Sequence, residues 1–274
     1  MKIYCCQLDI AWERKEENFQ RVRAMLGKRN FAPGSLVVLP EMFATGFTMN
    51  AAAVAEGENG PTGRFLREVA REKGVYILGG LVRASGGKML NEAVCIAPSG
   101  RRVARYDKVH LFSPGNESRH YAPGAELALF RWGRVRVGMF ICYDLRFPEV
   151  FRMAAQRGAE VLLVIANWPG KRHAHWTVLL RARAIENQAY CVGVNRCGSD
   201  PQTDYHGGSL VINPWGETVC EAGSDELLLS AEVDLAALKR IRRNFPVLRD
   251  ARTRYVLEGI RGQRNLDFRP PRRK

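Results

Sequence analysis

No CxxC pair and no Cys/His spacing suited to zinc occurs in this sequence, and its seven cysteines are an odd number. A structural metal site and a fully paired disulfide framework are thereby excluded. Most of the cysteines lie in apolar runs, as in IYCCQL, AVCIAP and AYCVGV, the usual setting of buried free thiols. The N-terminal MKIYCCQLDIAW lacks the long apolar core and the cleavage site of a secretory signal. No run approaches the length of a transmembrane span. A cytoplasmic protein with no membrane partner is the expectation. Also missing are a Pro-, Gly- or Ser-rich linker and any internal repeat, so residues 1–250 are read as one domain. Basic and aromatic residues are not interleaved in the way that stacks bases, which argues against a nucleic-acid partner.

What is present suits a globular domain. The chain has 274 residues, 46% of them hydrophobic and 26% charged, enough to bury a sizeable core. Lys and Arg number 42 against 28 acidic residues, a formal net charge of +14. Such a surface stays in solution and attracts anions, small acids included. Part of the excess sits in RIRRN (240–244) and RPPRRK (269–274). The second belongs to a basic C-terminal extension, 251–274, read as a solvated tail.

Apolar runs of strand length recur along the chain, at 2–8, 36–40, 75–82, 90–97, 101–106, 135–142 and 160–167. Helical stripes fall at 13–28, 61–73, from Pro148 onward, and over His173 to Gln188. Four more strands and a final helix, DLAALKRIRR, complete the pattern. Several strands follow one another directly, so the sheets are mixed rather than a regular βαβ series. Two sheets with helices outside would bury these runs.

Three residues stand immediately beyond separate strands. Cys142 ends a buried strand and precedes a helix in FICYDLRFPEVF. A strand-to-helix turn lifts a nucleophile above the sheet edge, and a helix N-terminus favours the thiolate. The competing reading is one more buried cysteine. None of the five histidines lies in a recognisable cysteine-protease signature, so the proton acceptor is sought elsewhere. Glu41 follows LVVLP, where partial desolvation makes a carboxylate a better base; alone, it reads equally as an ordinary strand-end charge. Lys108, in YDKVHLF, can place a fixed positive charge beside a developing oxyanion, or be one surface lysine among many. Glu117, in the loop beyond, can hold Lys108 charged and in place, or be a solvated loop acid. Strand ends converge on sites in layered α/β folds.

The three segments LPEMF, YDKVHLF and ICYDLRFPE, in that order, resemble the nitrilase or carbon–nitrogen hydrolase superfamily. The likeness continues through ANWPG (166–170), HWTVLLRARAIENQAY (175–190), GGSLVINPWGE (207–217) and RNFPVLRD (243–250), so that it covers roughly residues 2–250. Within that superfamily EMFATGFTM, KVHLF and CYDLRFPE are most similar to the omega-amidase branch. The resemblance implies a four-layer α-β-β-α sandwich, dimerised through one face, with no metal or organic cofactor. It implies hydrolysis of the terminal amide of 2-oxoglutaramate or 2-oxosuccinamate to the acid and ammonia through a Cys thioester. It makes Cys142 the nucleophile, Glu41 the general base, Lys108 and the Tyr143 backbone N–H the oxyanion donors, and Glu117 the supporting carboxylate. An N-carbamoyl amino acid hydrolase, a nitrilase or another small-molecule amidase of the same superfamily is the alternative.

Arg146, four residues past Cys142, suits a bidentate grip on a substrate carboxylate, or an ion pair with Asp144 or Glu149. Trp168 is read either as pocket lining or as core. The pair His173 and His175 lacks the further ligands of a metal site. Arg183 and Glu186 are read as a bracing ion pair. Asn195 and Asp204 carry no assignment from pattern.

Overall fold

A computed structural model describes residues 1–27 and 29–251. In chain order the strands and helices are β1 (Lys2–Gln7), α1 (Lys15–Leu26), β2 (Leu36–Val38), α2 (Ala51–Val54), α3 (Pro61–Lys73), β3 (Tyr76–Ser85), β4 (Lys88–Ile96) and β5 (Arg102–Asp107). There follow β6 (Ala128–Trp132), β7 (Val135–Ile141), α4 (Pro148–Gln156), β8 (Val161–Ala166), α5 (His173–Asn187), β9 (Tyr190–Asn195), β10 (Cys197–Ser199), β11 (Asp204–His206), β12 (Leu210–Ile212), β13 (Thr218–Glu221), β14 (Leu227–Glu232), α6 (Leu235–Asn244) and α7 (Val247–Asp250). The extension expected at 251–274 lies, beyond Ala251, outside the described residues.

Two six-stranded sheets form, in the orders β14-β1-β2-β3-β4-β5 and β13-β12-β9-β8-β7-β6. Each is mixed. The centres β1-β2-β3 and β7-β8-β9 are parallel, and antiparallel strands flank them. Alternation along β1 shows how the layers stack. Ile3 and Cys5 enter a core shared with Val137, Leu163 and Val192 of the second sheet. Tyr4 and Cys6 turn the other way, onto Phe19 and Val22 of α1 and Phe65 and Val69 of α3. On the far side, Phe151 of α4 and Trp176 and Leu180 of α5 cover the second sheet. The result is the expected four-layer α-β-β-α sandwich with two mixed sheets.

The sequence reading missed four short pieces. Helices α2 and α7 each span four residues, β6 is an edge strand pairing β7, and β10 with β11 forms a separate two-stranded hairpin. All are short or half-exposed, so their apolar signal is weak. The segment 113–125, read as one polar loop, carries two 3₁₀ turns, Ser113–Gly115 and Glu117–Arg119. No helix among the described residues is long and apolar enough to cross a membrane.

Candidate active site

The site lies where the chain leaves β2, β5, β7 and β8. Past β2, the chain keeps pairing with β3: Gly80 donates its N–H to the Pro40 carbonyl at 3.1 Å, and Phe43 donates to the Gly80 carbonyl at 3.2 Å. This close approach requires glycine, because a Cβ on Gly80 would lie 2.5 Å from the Met42 nitrogen and 2.7 Å from the Glu41 Cα. Glu41 is thereby turned inward and is wholly buried. Past β5, Lys108 donates its N–H to the Asn91 carbonyl at 2.9 Å, which continues the β4 ladder and sends its side chain inward as well.

Buried charges persist only when paired and hydrogen-bonded, and here they are. Lys108 Nζ donates to Glu41 Oε1 at 2.9 Å and to Glu117 Oε1 and Oε2 at 3.1 and 3.0 Å. All three side chains have no exposed surface. Asn91 Nδ2 bridges the two carboxylates, donating to Glu41 Oε1 at 2.7 Å and Glu117 Oε1 at 2.9 Å. Glu117 Oε2 also accepts the Phe112 N–H at 2.6 Å, which folds the loop over the cluster. Burial alone would lower the Lys108 pKa; the charges of Glu117 and Glu41 outweigh it and hold the ammonium above the usual lysine range.

Past β7, a 3₁₀ turn spans Cys142–Arg146, and Cys142 sits in the left-handed region at φ 46°. A non-glycine residue there is strained unless its surroundings fix it. Asp144, wholly buried, does so. Its Oδ2 accepts the Ile141 N–H at 3.0 Å and the Tyr106 hydroxyl at 2.8 Å, and its Oδ1 accepts the His110 N–H at 3.0 Å and lies 2.8 Å from His110 Nδ1. From behind, Arg183 Nη2 donates to the Leu145 carbonyl at 2.7 Å while its Nη1 pairs with Glu186 at 3.1 Å. That is the bracing pair read from the sequence. Tyr143 is the second residue of that turn, where backbone N–H groups lack a partner within the turn itself.

Past β8, Asn167 donates its N–H to Glu41 Oε2 at 2.8 Å and its Nδ2 to the Glu41 carbonyl at 2.7 Å; its own carbonyl accepts from Cys142 Sγ at 3.9 Å. Asn195 then sets Trp168, accepting its N–H at 2.7 Å and donating to its carbonyl at 3.1 Å. Cys142, Lys108, Tyr143, Arg146, Asn167 and Trp168 line one cavity of about 160 Å³. Its outer wall includes Asp200, Thr203 and Tyr205 from the β10–β11 hairpin. Arg196, wholly buried, anchors that hairpin by donating to the Ile10 and Ser199 carbonyls at 3.2 and 2.9 Å.

Across the chain the carbon–nitrogen hydrolase family profile matches residues 2–243. The chain belongs to the carbon–nitrogen hydrolase family. It is 34% identical to a 2-oxoglutaramate amidase of Bacillus subtilis (strain 168), covering 91% of this chain and 97% of that one. It is 36% identical to an omega-amidase of Escherichia coli (strain K12), covering 92% and 96%. A solved structure of a CN-hydrolase superfamily protein from Xanthomonas campestris, with an arsenic adduct in its active site, superimposes with a TM-score of 0.87 at 34% identity, covering 92% and 97%.

One expectation for this hydrolase needs correction. Cys142 is not at an α-helix N-terminus, since α4 begins only at Pro148, and its surroundings do not favour the thiolate. Burial, then the charge of Glu41, raise the thiol pKa well above its ordinary value, and Lys108 only partly opposes them. Arg146 forms no ion pair with Asp144 or Glu149; its guanidinium lies 4.7 Å from the Trp168 ring centroid and 5.8 Å from that of Tyr143. Trp168 satisfies both readings, lining the cavity while 3% exposed in the core. His175 Nδ1 faces the Arg146 guanidinium at 3.4 Å. Among the described residues, no group of three or more His, Cys, Asp or Glu is placed to hold a metal ion. Asn91 and Asn167 were not singled out from the sequence, Asp144 was read only as a partner for Arg146, and Asn195 carried no assignment. Asn167 had a usable signal, because it ends a buried strand as Glu41 and Cys142 do.

Proposed function

We propose that this hydrolase cleaves the terminal amide of a small 2-oxo dicarboxylic acid monoamide, 2-oxoglutaramate or 2-oxosuccinamate, to the acid and ammonia. Support comes from the Arg146 guanidinium in the wall of the cavity that holds Cys142, which meets no carboxylate among the described residues, and from similarity to a 2-oxoglutaramate amidase and an omega-amidase. Arg146 grips the substrate carboxylate while the carboxamide reaches Cys142. Stacking on Trp168 holds the guanidinium in place without neutralising it.

Cys142 attacks as a thiol that gives its proton to Glu41 in the same step. The sulfur bonds the carbonyl carbon, and the negative charge leaves Glu41 for the carbonyl oxygen. Glu41, now neutral, loosens its hold on Lys108, whose ammonium with the Tyr143 N–H stabilises the oxyanion. The intermediate collapses, the C–N bond breaks, and Glu41 returns the proton to the departing ammonia. A thioester remains. Glu41 next takes a proton from water, which attacks the thioester and restores the thiol. One difficult displacement becomes two easier ones. Glu117 keeps Lys108 charged and aimed throughout.

The protein works as a homodimer in this reading. Val178 and Ile185 of α5, Met153 of α4 and Phe245 are large apolar side chains left exposed, and Trp215 stacks on Phe245 at 6.0 Å. Such a patch suits burial between two copies, and sedimentation that returned a monomer mass would remove it.

Ammonia release from 2-oxoglutaramate, 2-oxosuccinamate, glutamine, asparagine, an N-carbamoyl amino acid and a simple nitrile tests the substrate. Preference for the 2-oxo acid amides, lost in Cys142→Ala, is the expected result. Turnover confined to the carbamoyl compound or the nitrile would overturn the substrate assignment.

A further inference from the structure

Five residues close a ring around the cavity. The Arg146 guanidinium lies over Trp168 and Tyr143, and the Tyr143 ring meets that of Phe112 edge-on at 5.1 Å. Phe112 carries a second guanidinium, that of Arg172, 5.3 Å from its ring centroid. Trp168 completes the circuit by donating its Nε1–H to the Arg172 carbonyl at 2.7 Å. All five line the cavity that holds Cys142. Both backbone groups of Arg172 are engaged, the carbonyl by that indole and the N–H by the Pro169 carbonyl at 3.0 Å. What Arg172 can offer a ligand is therefore its guanidinium. No acceptor among the described residues covers the guanidinium nitrogens, and they keep accessible surface. Stacking on Phe112 orients the group and leaves its N–H edge free.

We propose that Arg172 reads the 2-oxo oxygen of the substrate and so makes the cavity select 2-oxo acid amides over 2-amino acids such as glutamine and asparagine. This rests on the amidase reading above. A 2-oxo dicarboxylic acid monoamide has one carboxylate, which Arg146 takes, and its nearest other acceptor is the 2-oxo oxygen on the adjoining carbon. A second guanidinium in the same cavity matches that oxygen with a charge-assisted hydrogen bond. An amino acid places an ammonium on the same carbon. That group has no acceptor for Arg172 and brings a like charge to it, a repulsive element as much as a missing bond. Nor does the cavity hold a free counter-charge for it. Among the described residues the one acid in the lining is Asp200, whose Oδ2 accepts the Tyr205 hydroxyl at 2.6 Å and whose Oδ1 accepts the Gln202 N–H at 2.8 Å.

The test compares kcat/KM for 2-oxoglutaramate, glutaramate (the same chain without the 2-oxo oxygen) and glutamine in wild type, Arg172→Met and Arg172→Lys, by ammonia release. Ratios within one enzyme do not depend on how much of it is folded. Arg172→Met is expected to lower the 2-oxoglutaramate-to-glutaramate ratio by about tenfold or more, and Arg172→Lys, which keeps the charge, by less. Glutamine loses its opposing charge in Arg172→Met, so its ratio to glutaramate is expected to hold or rise. Equal losses on 2-oxoglutaramate and glutaramate in Arg172→Met would show that Arg172 only holds Phe112 and the cavity wall, and would overturn the proposal. A glutamine ratio that falls as far as the 2-oxoglutaramate ratio would overturn it too. A wild type that hydrolyses none of the three, and acts only on the N-carbamoyl amino acid or the nitrile, overturns the substrate reading itself and this proposal with it, a different result from an unchanged ratio among amides that are hydrolysed.

Discussion

Removing the Lys108 ammonium separates what the buried charge cluster does for the fold from what it does for the reaction. With a neutral thiol at Cys142, the cluster of Glu41, Glu117 and Lys108 carries a net charge of −1, all of it in side chains without exposed surface. Lys108→Met raises this to −2, with both carboxylates still on Asn91 Nδ2 at 2.7 and 2.9 Å. Stripping a buried pair of one partner costs roughly 3–5 kcal/mol. For a domain of this size that is a melting temperature lower by about 6–20 °C. Like charges this close repel, which works against the placement of Glu41 beside the thiol. Loss of the oxyanion donor alone removes on the order of 10²–10³ in rate. The combined loss is expected to exceed ~10³ in ammonia release. Adding Glu117→Gln returns the cluster to −1 and is expected to recover half or more of the lost stability, while turnover stays at the floor. Thermal melts and an ammonia assay on the single and double variants read both quantities. A Lys108→Met protein that melts with wild type, and gains nothing from Glu117→Gln, would refute the electrostatic account.

Cys142→Ala and Cys142→Ser are each expected to abolish turnover while melting close to wild type, and an active Cys142→Ala protein would sink the nucleophile assignment. Arg146→Ala is expected to raise KM for amides bearing a carboxylate far more than for neutral amides; equal effects would remove Arg146 from substrate binding. Gly80→Ala drives a methyl into the Glu41–Met42 backbone and is expected to lower kcat by tenfold or more, with a KM change much smaller than that of Arg146→Ala, measured by steady-state kinetics. Glu92, 1% exposed, has its carboxyl pushed up to about 7 by burial, against the opposing pull of Arg83. Its folded value lies above the unfolded one, so the folded chain keeps a proton that the unfolded chain releases. This group's contribution is therefore most favourable below about pH 4.5 and declines as pH rises to about 7, by up to ~3 kcal/mol. Denaturant titrations at pH 5 and pH 8 should show a steeper loss in wild type than in Glu92→Gln; parallel losses would count against it.

Three of the strands that carry the site, β2, β7 and β8, were legible because each is an apolar run buried on both faces, and because chemistry in layered α/β folds gathers just past such runs; β5, RVARYD, is mostly half-buried and lacks that signal. Each of Glu41, Lys108 and Cys142 is a weak signal singly, their shared place just past separate strands strengthens it, and the family resemblance assigned their roles. Asn91 does not, since one polar residue inside LNEAVCIA has no partner visible in sequence; it becomes meaningful only when β4 sets it between two carboxylates. Asp144 looks like a neighbour for Arg146, yet its oxygens are taken by Tyr106, His110 and the Ile141 N–H. The direction in which the surroundings push the thiol was not legible, because it follows from burial and from Glu41, a residue 101 positions earlier in the chain, and not from the local turn. The β10–β11 hairpin escaped because three-residue strands carry too little pattern to register.

The burial of Cys142 beside Glu41 bears on which reagents the enzyme must fear. Peroxides and simple alkylating agents attack thiolates, and burial together with the Glu41 charge disfavours that form of the sulfur. In the proposed mechanism a seated carbonyl compound lets Glu41 take the proton as the bond forms, so reactivity would follow occupancy. The protein is then expected to keep its activity in peroxide that silences a low-pKa thiol, and covalent inhibitors are expected to succeed by resembling the acyl group rather than by being aggressive electrophiles.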